Sequence, residues 1–186
     1  RKREKMKKIL KVVIGILILI PLFFVSILLF SSGNLKYAEE IEINKPIKGV
    51  VSLFDNPNNM KEYMDGIESY ELISGTGREV GAKYKLHFKM DEMEMEMTET
   101  IITRNLPHEM TVTWEMGSVL NIVTSKFTSI SETTTKVINE QEFQFKGLMK
   151  IMVFFGPKGF SPDDFKIQSK KYLEDFKYFV ENAGIE

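Results

Sequence analysis

Residues 161–183 read SPDDFKIQSKKYLEDFKYFVENA, and this stretch predicts a long helix that must pack on a large apolar surface. Ser161 is a favourable N-cap residue, Pro162 suits the first helical position, and the two aspartates that follow face the positive end of the helix dipole. Apolar side chains then recur at intervals of three and four residues to about Asn182, which gives the helix one apolar stripe. Because the preceding chain reads mainly as strands, we expect this stripe to lie on a sheet.

Residues 90–101, MDEMEMEMTETI, are typical of a strand with one apolar and one polar face. Methionine and glutamate alternate with a period of two, so Met93, Met95 and Met97 share one side of the predicted sheet. The flexible methionine side chain suits a surface that adapts to what lies against it. Turn residues divide this part of the chain into six predicted strands, at 69–74, 82–90, 93–103, 109–116, 120–130 and 136–145.

Three further elements precede these six strands. A strand begins at Tyr37 and is closed by Pro46, and short helices follow at 47–54 and 60–64. The order is therefore one strand, two short helices, six strands and one long helix. That order predicts an α+β fold, in which a curved antiparallel sheet of about seven strands wraps around the C-terminal helix.

Three stretches carry a resemblance to a known superfamily. They are VSLFDNPNNMKEYMDGIESYELISGTGREVGAKYKL at 51–86, MTETI at 97–101 and KKYLEDFKYFVE at 170–181. They resemble START-like or SRPBCC proteins, which include polyketide cyclase/dehydratase-like proteins and birch-allergen-like binders. The resemblance covers about residues 37–185 and implies a helix-grip fold. It also implies a deep hydrophobic cavity between sheet and long helix that holds lipids, sterols, polyketides or other apolar molecules.

The composition excludes several classes of function. The 186 residues contain no cysteine, so there is neither a disulfide framework nor a thiolate metal site. Residues 1–11 hold seven of the 25 basic residues and one of the 26 acidic residues, so 18 minus 25 leaves the remainder with a net charge of −7. We therefore expect no nucleic-acid partner, because that class needs a basic face. His87 and His108 are not matched with carboxylates at a ligand spacing, and we predict no metal and no cofactor.

The N-terminal segment 12–30, VVIGILILIPLFFVSILLF, carries no charge and predicts a transmembrane helix. A helix of this length spans about 28 Å, close to the hydrocarbon thickness of a bilayer, and Pro21 is compatible with a kink. A cleaved signal is the alternative, but its apolar region is usually about 7 to 15 residues, and SSGN matches a cleavage site poorly. The basic flank predicts a cytoplasmic N-terminus and an extracytoplasmic domain. The predicted division is a basic flank (1–11), a transmembrane helix (12–30), a linker (31–36) and a START-like domain (37–186).

Glu99 is the one carboxylate to which the pattern gives candidate chemistry. It continues the parity of Met97 and should point inward, where it could act as an acid or base on a bound ligand. The alternatives are a bulge in strand 93–103 or a position at the cavity rim, in water. Asn139 and Gln141 share the inward face of their strand and could orient a ligand, or lie in the core or at the rim. The candidate ligand-binding residues are Tyr84, Leu86, Phe88, Met93, Met95, Met97, Glu99, Val112, Trp114, Asn139, Gln141, Phe143 and Phe176.

Residues 147–160, GLMKIMVFFGPKGF, are too apolar for an ordinary surface loop. We expect a short helix here, broken by the Gly-Pro pair at 156–157. Phe154, Phe155 and Phe160 then either complete the core, which we favour, or rim an entrance that faces the nearby bilayer.

These observations favour a non-catalytic, membrane-anchored domain that binds a lipid or other small hydrophobic ligand in an internal cavity. An enzyme is the alternative, with a cyclase- or dehydratase-like activity on an apolar carbonyl substrate. Glu99 would then be its acid or base, and Asn139 or Gln141 would polarise the carbonyl. A third possibility is a protein-interaction module, since START-like domains also serve in that role.

Overall fold

The protein folds into one antiparallel sheet that packs against a long C-terminal helix. Its structure is a computed structural model that describes residues 2–30, 33–90, 93–156 and 161–184. The strands are β1 (Asn34–Ile43), β2 (Ile67–Ser74), β3 (Lys83–Met90), β4 (Met93–Asn105), β5 (Glu109–Met116), β6 (Val119–Ser131) and β7 (Thr134–Phe145). The helices are α1 (Lys2–Phe30), α2 (Ile47–Asp55), α3 (Leu148–Phe155) and α4 (Pro162–Asn182), with a 3-10 helix (Pro57–Glu62) after α2.

The seven strands lie in the order β1-β7-β6-β5-β4-β3-β2, and every neighbouring pair is antiparallel. β2 to β7 form a meander, and β1 is the edge strand beside β7. The predicted α+β fold is therefore confirmed, and the ends of β2 to β7 differ from the prediction by at most two residues. The helix predicted over 60–64 is instead the 3-10 helix Pro57–Glu62, because the Asn56 side chain accepts a hydrogen bond from the Asn58 amide and Pro57 presets the first turn.

α4 begins with a complete capping box. The Ser161 hydroxyl accepts a hydrogen bond from the Asp164 amide at 3.2 Å, and the Asp164 carboxylate accepts one from the Ser161 amide at 3.0 Å. The side chain of Ser169 contacts the Tyr37 hydroxyl of β1 at 2.7 Å, so α4 lies across the β1 end of the sheet. The helix buries one stripe, which consists of Ser169, Leu173, Phe176 and Val180.

The period-two pattern predicts the direction of the side chains on β3 and β4 correctly. Leu86 of β3 is fully buried and lies opposite Met97 of β4, while Tyr84 lies opposite Glu99. On the outer face, Lys85 pairs with the Glu96 carboxylate at 2.8 Å. β4 does contain an irregularity between Ile101 and Thr103, but it follows Glu99 and leaves that side chain pointing inward.

The sheet begins earlier than the sequence predicts. β1 starts at Asn34, which pairs with Gln144, so the predicted linker 31–36 is partly strand. Gly33 joins β1 to the preceding chain with a φ of +61°, and its carbonyl accepts a hydrogen bond from the Phe145 amide at 2.7 Å. A Cβ at Gly33 would lie 2.7 Å from the Phe145 carbonyl oxygen, so only glycine fits this junction.

α1 and α3 are both apolar and mostly uncovered. α1 contains the stretch Lys2–Leu29, the one described segment that is long and apolar enough to cross a membrane, a property that N-terminal signal sequences share. α3 contains no buried residue. The expectation that Phe154 and Phe155 complete the core is wrong, because they are 58% and 56% exposed. Phe160 lies outside the described residues.

Candidate ligand-binding cavity

A cavity of about 310 Å³ lies between the sheet and α4. Strands β3 to β7 form its floor, α4 forms its roof, and the 3-10 helix region and Met149 of α3 contribute to its walls. The volume falls at the lower end of the range of about 300 to 1,000 Å³ that is usual for small-molecule pockets. The lining is predominantly apolar, so the cavity suits a small hydrophobic molecule.

Most of the predicted ligand-binding residues line this cavity. Tyr84 and Leu86 do not, because they lie further along the inner face of β3, in the closed core. The Tyr84 hydroxyl is hydrogen-bonded to the Gly77 carbonyl. The side chain of Met93 lies outside the described residues. The predicted residues that line the cavity are Phe88, Met95, Met97, Glu99, Val112, Trp114, Asn139, Gln141, Phe143 and Phe176.

Methionine is the commonest residue in the cavity wall. Met95 and Met97 of β4 face side chains from other elements across the space, and both are only partly buried. Their thioethers can change rotamer at little cost, so this wall can adapt to the shape of a guest. The six methionines of the wall are Met60, Met64, Met95, Met97, Met116 and Met149.

One end of the cavity carries a buried charged network centred on Glu99. Glu99 is 1% exposed, so a position at the rim, in water, is ruled out. The Tyr70 hydroxyl donates to its Oε1 at 2.5 Å, Arg78 Nη1 donates to the same oxygen at 3.3 Å, and Trp114 Nε1 donates to Oε2 at 2.9 Å. A carboxylate offers about four lone-pair positions, so three are already used by the protein.

Arg78 links this network to the surface. Its Nη1 contacts the Tyr70 hydroxyl at 2.5 Å, and its Nε lies 3.4 Å from Asp55 Oδ1, within ion-pairing range but without a hydrogen bond. Burial alone would lower the pKa of Arg78, but the adjacent Glu99 carboxylate, with Tyr70 and Asp55, raises it above the usual value. Burial also raises the pKa of Tyr70, and Glu99 raises it further. Both groups therefore stay protonated as donors to Glu99.

No pattern in the sequence identifies Arg78 or Tyr70 as residues of the site. Arg78 lies in the glycine-rich turn between β2 and β3, which the pattern explains as a turn alone. The available signal was indirect: an inward carboxylate in an apolar face requires a buried donor, and charges are seldom buried without a partner. Arg78 is the basic residue of that turn, close in sequence to β3, whose Tyr84 lies opposite Glu99.

A second polar group lies on the cavity floor, on β6 and β7. Asn121 Nδ2 donates to Gln141 Oε1 at 3.0 Å, and Ser125 lies opposite Asn139 in the strand register. The side-chain oxygens of Asn121 and Asn139 are buried and have no hydrogen-bond partner among the described residues. Buried polar atoms without a partner are uncommon, because each costs about 1 to 3 kcal/mol. We call Asn121, Ser125, Asn139 and Gln141 the amide patch.

The described residues contain no group of three or more histidine, aspartate or glutamate side chains placed to hold a metal ion. His87 lies on the outer face of the sheet, 3.5 Å from the Glu96 carboxylate. The cavity wall thus contains a carboxylate whose two oxygens both have protein donors, and an amide patch with two oxygens that have no partner among the described residues.

A sheet that grips a long helix around an apolar cavity defines a hydrophobic-ligand-binding fold of the START-like, or SRPBCC, type. A family model described as polyketide cyclase / dehydrase and lipid transport matches residues 34–166, and the chain belongs to that family. A search of curated proteins found no match.

Solved structures show the same fold at low sequence identity. Ara h 8.0201 is 16% identical, with a TM-score of 0.63 over 80% of this chain and 98% of that one. The Zhui aromatase/cyclase from Streptomyces sp. R1128 is 11% identical, with a TM-score of 0.62 over 81% and 98% of the two chains. Norcoclaurine synthase from Thalictrum flavum, in complex with dopamine and hydroxybenzaldehyde, is 18% identical, with a TM-score of 0.58 over 82% and 90%. These likenesses confirm the predicted helix-grip fold.

Proposed function

We propose that this protein is a membrane-anchored domain that binds a lipid or other small hydrophobic molecule in its cavity, without catalysis. The cavity of about 310 Å³ with its predominantly apolar lining is the observation that carries the proposal. Membership of a family whose description includes lipid transport supports the same class of ligand. The methionine-rich wall favours acceptance of more than one molecular shape.

The membrane anchor in this proposal is α1. Its charge-free segment matches the thickness of a bilayer core, and its side chains are almost entirely uncovered by the rest of the protein. The basic residues at its start favour a cytoplasmic N-terminus, which places the sheet outside the cytoplasm.

The surroundings of Glu99 argue against an acid or base role for it. Tyr70, Arg78 and Trp114 hold both of its oxygens, and the ion pair with Arg78 gives the carboxylate a structural partner. A general base needs an oxygen that can reach a proton of the substrate. The network instead explains how a carboxylate can lie beside an apolar cavity.

The amide patch predicts a second property of the ligand, a hydrogen-bond donor. Asn121 and Asn139 line the cavity, and their side-chain oxygens are acceptors that have no partner among the described residues. A hydroxyl or amide N–H on the ligand would satisfy them, and such placed polar groups orient ligands in otherwise apolar pockets. The ligand is therefore a mainly apolar molecule with a neutral hydrogen-bond donor.

The proposal is tested by filling the cavity. Val123 lies on the cavity floor, whereas its neighbour Ile122 points to the opposite face of the sheet. We expect native mass spectrometry of the full chain, released from lipid nanodiscs, to show one retained small molecule in the wild type and in Ile122→Trp. We expect none in Val123→Trp. Equal retention by all three chains, with unchanged circular dichroism, would locate the bound molecule outside the cavity and contradict the proposal.

A further inference from the structure

α3 presents an apolar surface that the described part of the protein does not cover. Leu148, Phe154 and Phe155 are 74%, 58% and 56% exposed, and Met152 is 37% exposed. Lys150 is its one charged residue, and the five residues that follow it are all apolar. Exposed apolar patches of this kind mark interaction sites.

α3 packs against the last turns of α1, and the contacts show its direction. The Lys150 ammonium donates to the Leu28 carbonyl at 3.4 Å. Five residues later, the Phe155 ring lies 6.0 Å from the Phe24 ring and 6.5 Å from the Phe23 ring. The contact on α1 thus moves back toward its N-terminus as α3 proceeds, so the two helices are antiparallel.

These contacts set a depth for α3 if α1 spans a bilayer. Phe23 lies seven residues before the end of the apolar segment at Phe30, which is about 10 Å along a helix. Leu28 lies two residues before that end, or about 3 Å. Phe155 therefore lies at the depth of the acyl chains, and the Lys150 ammonium lies near the headgroups, where a lysine beside an apolar surface places its charge.

We propose that α3 is inserted in the outer leaflet of the membrane that α1 spans, with Leu148, Phe154 and Phe155 in contact with lipid. This inference rests on the proposed role of α1 as a membrane span. The continuity of α3 with α1 favours lipid as the partner, since the same layer that surrounds Phe23 and Phe24 also reaches Phe155.

With α3 inserted, this helix lies between the membrane and the cavity. Met149 of α3 lines the cavity, while Leu148 beside it is the most exposed apolar residue of the helix. α3 is thus a wall one helix thick, with the ligand space on one side and lipid on the other.

The absence of cysteine from the sequence allows a direct test with single labels. A nitroxide would be attached to Phe154→Cys or Leu148→Cys in the full chain reconstituted in phosphatidylcholine vesicles. Ile18→Cys, in the middle of α1, reports on the span, and Glu132→Cys, in the turn between β6 and β7 at the far end of the sheet, reports on water. Collision rates with oxygen and with a water-soluble nickel chelate give the depth of each label.

We expect the ratio of oxygen to nickel accessibility at residue 154 to exceed that at residue 132 severalfold and to lie below that at residue 18. Residue 148 should be shallower than residue 154. A water-like ratio at residues 148 and 154 with a lipid-like ratio at residue 18 would overturn the insertion of α3 alone. A water-like ratio at residue 18 would overturn the span itself. Low accessibility of residues 148 and 154 to both reagents would show a protein contact, such as a second copy of this chain, and would also overturn the proposal.

Discussion

The two polar groups of the cavity wall differ in how completely the protein satisfies them. Around Glu99, both carboxylate oxygens have protein donors, and Arg78 supplies the opposite charge. In the amide patch, the side-chain oxygens of Asn121 and Asn139 are buried and have no partner in the described part of the chain. A carboxylate whose two oxygens both have protein donors has less left to offer a guest, whereas a buried oxygen without a partner carries a cost that a guest can relieve. Substitutions in the Glu99 network should therefore affect stability more than ligand binding. Substitutions in the amide patch should affect ligand binding more than stability.

Substitution Arg78→Met should have the largest effect on stability. It leaves the Glu99 carboxylate buried without its ion-pair partner, and breaking a buried pair in this way costs about 3 to 5 kcal/mol in the free energy of unfolding. Chemical denaturation would measure the loss. Lys85→Met is the matched control, because its pair with Glu96 is on the exposed outer face, where solvent screens the interaction and its loss should hardly change stability. Equal losses in the free energy of unfolding in the two variants would show that the buried pair of Arg78 and Glu99 stabilises the fold no more than an exposed pair does.

Glu99→Gln should have an intermediate effect. Gln keeps the shape and one acceptor oxygen, but it loses the charge that faces Arg78 and brings an N–H₂ group toward existing donors. We expect a loss of about 1 to 3 kcal/mol in the free energy of unfolding, with retention of the ligand unchanged. A fully stable variant that no longer retained or converted its ligand would instead assign Glu99 a direct role in chemistry.

Asn139→Leu should cause the smallest loss of stability and the clearest effect on the ligand. It removes a buried oxygen that has no partner among the described residues, so the free energy of unfolding should not fall. Loss of one hydrogen bond to the guest should weaken its affinity by about 2- to 10-fold. Titration with the molecule identified by native mass spectrometry would measure the change. Gln144→Leu, an amide on the outer face of the same strand, should leave the affinity unaltered. Identical affinities in both variants would show that the amide patch does not contact the guest.

Local patterns predicted much of this structure. The alternation in β4 determines that Glu99 points inward, and the Ser-Pro-Asp-Asp start determines where α4 begins, because both effects act between residues close in sequence. The alternation of side chains does not show how far along a strand the cavity extends. It therefore predicts that Tyr84 and Leu86 line the cavity, whereas both lie in the closed core.

The remaining differences depend on contacts between residues distant in sequence. Arg78 reaches Glu99 only when the β2–β3 turn folds over β4, and no local pattern encodes that closure. The apolar composition of α3 predicts that it avoids water but not what covers it. That composition therefore favours the core for Phe154 and Phe155, but the core does not contain them.

The junction at Gly33 has a consequence for orientational entropy. A flexible tether would let the sheet tumble over a wide range of angles relative to α1, and each productive alignment with a neighbouring surface would carry an ordering cost. Here the Gly33 carbonyl is bonded to Phe145 at the end of β7, and β1 starts at the next residue. The Phe155 ring of α3 also lies 6.0 Å from the Phe24 ring of α1. These two attachments form during folding and restrict the angles available to the sheet, so a later encounter carries a smaller ordering cost.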